Sequence, residues 1–227
     1  TFFPKRGGGM VFAAGVLVLG YALYAAFQQW LGANLATQDL LVNDKFTLFF
    51  TFLVILIGIL SLFNSYAYLM AHEKLSGEMV SLILFSIVGM IFLFASDHLV
   101  VNFIGLETMS LAIYVMVGSN KRDLRSNEAA LKYYIMGSVA SAFLLYGIAL
   151  MYGSFGTFRL TDLAKMQLYP GLVYLPRIAL TLLLSGVLFK LALVPFHFWV
   201  PDVYQGAPTP VTGFMATGVK VAVFALF

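Results

Sequence analysis

The sequence contains no cysteine. Thiolate ligation of zinc or of an iron–sulfur cluster by this chain is therefore excluded. A dinucleotide fingerprint, a phosphate loop and a paired-histidine metal motif are missing as well. The triple glycine Gly7, Gly8, Gly9 lacks the strand and lysine context that a phosphate site requires. Charge is scarce, with Asp, Glu, Lys and Arg making up 10% of the residues. A net charge of +3 and a pI near 9.0 would raise the question of nucleic acid in a soluble chain. Here the few basic residues lie mostly in loops, where they act as topology determinants, and no nucleic-acid partner is expected.

What is present is apolar: 61% of the residues are hydrophobic and the mean hydropathy is +0.94. Uninterrupted apolar runs exceed the ~18 residues that mark a spanning helix, so the expected fold is an all-α, polytopic membrane helix bundle in contact with a lipid bilayer. Seven segments stand out: Val11–Phe27, Phe46–Met70, Met79–Phe94, Leu99–Gly118, Ala129–Tyr152, Leu172–Val194 and Val211–Phe227. The third is short, but about 16 residues at ~1.5 Å rise reach ~24 Å. The link Asp97-His98 predicts a tight helical hairpin. Residues 1–78 form a first region of two spans. Residues 79–227 form a five-helix unit that stops within its last helix, at Ala225-Leu226-Phe227. With no methionine before Thr1, this is the pattern of a fragment of a longer polypeptide, with a further span expected upstream.

Basic residues in short loops set orientation. Lys5 and Arg6 precede the first span, and Lys121, Arg122 and Arg125 separate the fourth from the fifth, which puts both groups on one side, expected to be cytoplasmic. Arg159, Lys165 and Arg177 on the opposing side weaken that asymmetry.

Three ionisable residues lie inside apolar segments: Glu107 in the fourth, Lys190 in the sixth and Lys220 in the seventh. A charge at bilayer depth costs roughly 2.5–3.5 kcal/mol on insertion scales, so it faces the bundle interior, finds a partner and serves an ion or proton path. Glu107 and Lys220 stand about nine or ten residues into their segments, or roughly 13–15 Å at ~1.5 Å per residue, near the midplane. Lys190 sits just before Pro195. Pro195, Pro201, Pro208 and Pro210 fall so close together that no regular helix runs through them, because proline removes a donor and clashes with the preceding turn. Non-helical backbone at membrane depth is tolerated only when buried in protein or lining water, as in the discontinuous helices of transporters. The alternative is an interfacial proline-rich loop with Trp199 and Tyr204 anchored at headgroup level.

The run Phe189-Lys-Leu-Ala-Leu-Val-Pro-Phe-His-Phe-Trp-Val-Pro-Asp-Val-Tyr-Gln-Gly-Ala-Pro-Thr-Pro-Val211 resembles the signature of the antiporter-like subunits of proton-pumping NADH:quinone oxidoreductase, respiratory complex I. The wording Val-Tyr-Gln-Gly-Ala-Pro is most similar to the subunit N branch of that family, called subunit 2 in mitochondria. Phe103-Ile-Gly-Leu-Glu107 and Glu128-Ala-Ala-Leu-Lys132-Tyr-Tyr resemble its glutamate-bearing helix and the start of the next one, so the likeness spans about residues 80–227. The resemblance implies one unit of an inverted-repeat fold with a discontinuous helix, in which Glu107 and Lys190 form an ion pair and Lys220 is the central lysine. It implies proton translocation in a bacterial inner membrane or another energy-transducing membrane, beside other membrane-arm subunits. It also implies that this chain holds no cofactor, with NADH, FMN, iron–sulfur clusters and quinone in partner subunits. The chemistry agrees: burial disfavours a charged form and an opposite charge favours it, so a movable Glu107 changes how Lys190 holds its proton.

Other polar residues have two readings each. His197 is a possible relay or a hydrogen-bonding loop residue. Lys132, a few residues into its span, snorkels to the cytoplasmic interface or connects the line to the surface. Asp202 caps the helix after the break or pairs with a neighbouring subunit; aspartate's preference for such positions favours capping. His72 and His98 border spans and are expected at the interface. Ser138, Ser141, Gly137 and Gly147 are expected to permit close helix packing. Two other functions stay open: a subunit of a multisubunit sodium/proton antiporter, and a seven-helix photoreceptor with Lys220 as its Schiff-base lysine. Against the latter, the only tryptophans, Trp30 and Trp199, lie at segment edges.

Overall fold

The computed structural model describes residues 8–32, 40–71, 77–165 and 174–226. Lys5, Arg6 and His72 lie outside them. Among the described residues the chain is helical: α1 (Gly8–Leu31), α2 (Lys45–Ala71), α3 (Gly77–Phe94), α4 (Leu99–Val117), α5 (Leu124–Phe155), a single turn α6 (Leu160–Leu163) and α7 (Tyr174–Leu191). After a break come α8 (Val200–Gly206), α9 (Thr209–Phe214), a π-helical turn (Met215–Val219) and α10 (Lys220–Phe224). Six of these helices, α1 to α5 and α7, are long and apolar enough to cross a membrane. The expected seventh segment is the shorter helical run Thr209–Phe224, interrupted by the π turn. Large apolar side chains such as Leu17, Phe85, Ile104 and Val115 point outward, as they do where the surrounding solvent is lipid.

Local chemistry fixes where the helices begin. Asp44 accepts from the Thr47 amide at 2.7 Å at the start of α2, and Asp123 from the Arg125 amide at 3.0 Å at the start of α5. The α3–α4 connection is four residues, 95–98, rather than the two-residue link read from the sequence. Asn102 Nδ2 fastens this connection, donating to the carbonyls of Leu93 (2.6 Å) and Ser96 (3.1 Å).

Two close helix crossings build the core. A Cβ on Gly105 of α4 would meet the Gly89 carbonyl oxygen of α3 at 2.7 Å, so only glycine lets these backbones approach. In the same way a Cβ on Gly147 of α5 would lie 2.9 Å from the Ala179 carbonyl oxygen of α7. In the membrane, where apolar burial gives little drive for association, such small-residue contacts carry the packing.

The expected break is present. α7 ends at Leu191, residues 192–199 are non-helical, and Ala192 takes φ 59° in the left-handed region. Pro195 lies inside the break, Pro201 in the first turn of α8, and Pro208 and Pro210 at the start of α9, where a missing amide donor costs nothing.

Candidate functional site

Glu107, Ser110 and Tyr114 follow one another on α4 at spacings of three and four residues, which places them on one face. Lys190, in the last turn of α7, reaches that face. It is 1% exposed, so its ammonium must find acceptors in the protein. Its Nζ donates to Ser110 Oγ at 2.8 Å and to Tyr114 OH at 3.0 Å. Ser110 donates its hydroxyl hydrogen to the Leu106 carbonyl at 2.6 Å, leaving a lone pair on Oγ for the lysine. Tyr114 can stand there because residue 137 of α5 is glycine: a Cβ would strike the phenol oxygen.

Glu107 belongs to the same cluster but does not pair directly with Lys190. Ser141 of α5 donates to its carboxylate, while the ammonium is held by Ser110 and Tyr114, three and seven residues further along α4. Ser141 is therefore part of the candidate site, where the sequence favoured packing over ion binding. Ser110 and Tyr114 were missed as well. Their signal was the shared helix face with Glu107.

Lys220 follows the π turn directly, a bulge type frequent at functional sites. It is half-buried, and its Nζ donates to the backbone carbonyl of Lys190 at 3.0 Å. The ammonium also lies 5.5 Å from the Trp199 ring centroid, a cation–π distance. Trp199 is 1% exposed and thus not a headgroup anchor. Its indole N–H donates to the Phe189 carbonyl at 3.1 Å, and its ring stacks on Tyr133 (4.6 Å) and Phe189 (5.4 Å). The end of α7 leaves the Lys190 carbonyl without a backbone donor, which explains the Lys220 contact, while the Phe189 carbonyl accepts from both the Ala192 amide and the Trp199 indole.

Lys132 is partly exposed, with Nζ 2.7 Å from both Glu128 Oε1 and Asp202 Oδ2. Asp202 stands in the first turn of α8, three residues past the N-cap Trp199, so it is not the capping residue; its Oδ2 accepts from Lys132 instead. His197 is exposed in the break and has no hydrogen bond to either buried lysine. His98 packs on Phe158 with its Nδ1 buried and without a partner. Among the described residues no cluster of His, Cys, Asp or Glu has the arrangement of a metal site.

Residues 96–227 match the family model described as NADH:quinone oxidoreductase/Mrp antiporter, transmembrane. The chain belongs to this family. Every site residue above lies within the matched range, and the photoreceptor alternative falls with the membership. Among curated members of the NADH:quinone oxidoreductase/Mrp antiporter family, the chain is 39% identical to NADH-quinone oxidoreductase subunit N of Trichlorobacter lovleyi, over 99% of this chain and 47% of that protein. It is 46% identical to subunit N 1 of Sorangium cellulosum, over 82% and 37%. The fold matches a chain of respiratory complex I from Thermus thermophilus with TM-score 0.82 and 37% identity, covering 99% of this chain and 48% of that one. A chain of the Mrp complex from a Dietzia species shares the fold, with TM-score 0.77 and 22% identity over 96% and 43%. The chain spans about half the length of the curated relatives it matches.

Proposed function

We propose that this chain is part of a membrane-arm subunit of respiratory NADH:quinone oxidoreductase and translocates protons through Glu107, Lys190 and Lys220 in a bacterial inner membrane. Other membrane-arm subunits are its partners, and NADH, FMN, iron–sulfur and quinone chemistry belongs to partner subunits. The observation that carries the reading is the Lys190 ammonium, buried among apolar helices and, among the described residues, hydrogen-bonded to two hydroxyls rather than to a carboxylate. A structural lysine would be matched by a carboxylate, because an unpaired buried charge is costly.

The arrangement works as a switch. Glu107 is drawn to Ser141, and Lys190 to Ser110 and Tyr114. A carboxylate close to an ammonium favours its charged form, and withdrawal removes that support. Movement of Glu107 between Ser141 and Lys190 thus sets when Lys190 keeps its proton and when it passes it on. Lys220, bonded to the Lys190 backbone, is the next acceptor. No covalent chemistry is asked of these residues. The identities to proteins named subunit N, 39% and 46%, favour this reading over a sodium/proton antiporter subunit, for which the fold likeness comes with 22% identity.

The test is Lys190→Ala in the full-length subunit within its assembled complex. The expected result is normal assembly with proton pumping suppressed; undiminished pumping would refute the proposal.

A further inference from the structure

We propose that the Lys132–Asp202 ion pair is a positioning device for Lys220: it clamps α8 to α5 and so fixes Trp199, the ring on which the Lys220 ammonium rests. The inference rests on the proton-path reading above, since it concerns how one of that path's lysines is held.

α8 has non-helical backbone on both sides, 192–199 before it and 207–208 after it. Neither α7 nor α9 can fix its place through helical continuity. What it leans on is α5. Gly206 comes so close to that helix that a Cβ would stand 2.7 Å from the Arg125 carbonyl oxygen. The second attachment is Lys132 Nζ to Asp202 Oδ2, at 2.7 Å.

Both ends of the pair adjoin the aromatic stack. Asp202 follows Trp199 by three residues, and Lys132 directly precedes Tyr133, whose ring lies 4.6 Å from that of Trp199 at an interplanar angle of 18°. Trp199 then touches both parts of the proton path, holding the Phe189 carbonyl beside Lys190 and lying under Lys220. A displacement of α8 is therefore a displacement of the surface against which Lys220 is placed.

The pair borders an open polar cavity of about 290 Å³, with Arg125, Glu128 and Gln205. Its side chains are 41% and 56% exposed, so it adds little to overall stability and its loss leaves the bundle folded. Removing Asp202 also leaves Lys132 with Glu128 four residues away on α5. Only the cross-link to α8 disappears.

The experiment uses the full-length subunit in its assembled complex, with proton pumping read at equal complex abundance for Asp202→Asn, Asp202→Glu, the exchange Lys132→Asp with Asp202→Lys, and Lys220→Ala. Asp202→Asn is expected to slow pumping about two- to fivefold, the factor that an exposed pair's interaction allows. Asp202→Glu and the exchange should restore it, which a merely space-filling residue would not do. If Asp202→Asn lowers abundance, Lys132→Gln breaks the same pair from α5 and should slow pumping equally. Unchanged pumping in the variants that break the pair overturns the proposal. So does slow pumping that neither Asp202→Glu nor the exchange restores. Normal pumping in Lys220→Ala would instead bring down the proton-path reading itself, so the two failures are distinguishable.

Discussion

Lys220 Nζ donates to the backbone carbonyl of Lys190 at 3.0 Å, so the side chain of the half-buried lysine closes the helix that carries the buried one. The end of α7 orphans this carbonyl. The Ala192 amide turns back to Phe189 and the Leu193 amide to Leu188, leaving the Lys190 oxygen for a side-chain donor. A change of charge at Lys220 therefore acts on the turn that positions Lys190, without a separate connecting element.

This double role separates two substitutions of Lys220. Arginine keeps a positive donor for the carbonyl but does not release its proton in a protein. Lys220→Arg is expected to keep the thermal stability of the assembled complex and fail to pump, whereas Lys220→Met should still assemble but lose stability as well. Thermal inactivation of the assembled complex and acidification by a pH-gradient dye read the two effects separately. Pumping by the arginine variant would show that Lys220 need not release a proton.

The two hydroxyls around Lys190 should behave as one unit. Ser110→Ala or Tyr114→Phe leaves the ammonium one acceptor, at a cost of about 1.5–3 kcal/mol for a hydrogen bond to a charged group. The double variant leaves it none, and should cost more than the sum. Thermal inactivation of the assembled complex, compared across the four members of the cycle, is the measurement. Strict additivity would mean that the hydroxyls do not share the ammonium.

Glycine substitutions should separate activity from assembly. A Cβ on Gly137 strikes the Tyr114 phenol, a side chain that can yield by leaving Lys190. A Cβ on Gly105 meets the α3 backbone, with the Gly89 carbonyl oxygen at 2.7 Å, which cannot yield. Gly137→Ala is therefore expected to retain the complex and lose pumping, and Gly105→Ala to lose the complex. The opposite pattern would contradict the assignment of Gly137 to the site.

Substitutions at the break should move stability in opposite directions. Ala192 holds φ 59°, a conformation costing an alanine roughly 1–2 kcal/mol, so Ala192→Gly should stabilise. Trp199→Ala empties a buried site and removes the donor to Phe189, and should destabilise by about 3–5 kcal/mol. Both are read by thermal inactivation at matched expression.

The helices and the break were legible in the sequence because their causes are local. Apolar runs the length of a bilayer have few other solutions, and four prolines within Pro195 to Pro210 forbid a continuous helix. Glu107, Lys190 and Lys220 were legible because charge in an apolar run is expensive. Their partners were not. Nothing in the composition of α5 marks Ser141 as the residue that binds Glu107, since that depends on how α5 is rotated against α4. Trp199 sits at a segment edge, where lipid-interface tryptophans also sit, and only the return of the broken chain into the bundle buries it. Asp202 has the residue type of a helix cap, but α8 begins two residues before it and the distant Lys132 takes its carboxylate.

Whether Lys190 and Lys220 are successive stations of one proton path is read most directly from pumping by the double variant Lys190→Ala, Lys220→Ala. Quinone-dependent NADH oxidation and dye-monitored acidification would be followed in membranes in which complex abundance equals that of the wild type. Substitutes for a midplane lysine are scarce, and the predicted result is an assembled complex with no acidification and with suppressed coupled electron transfer. Normal acidification in that fully assembled double variant would contradict the account and leave both lysines as structural members of the bundle.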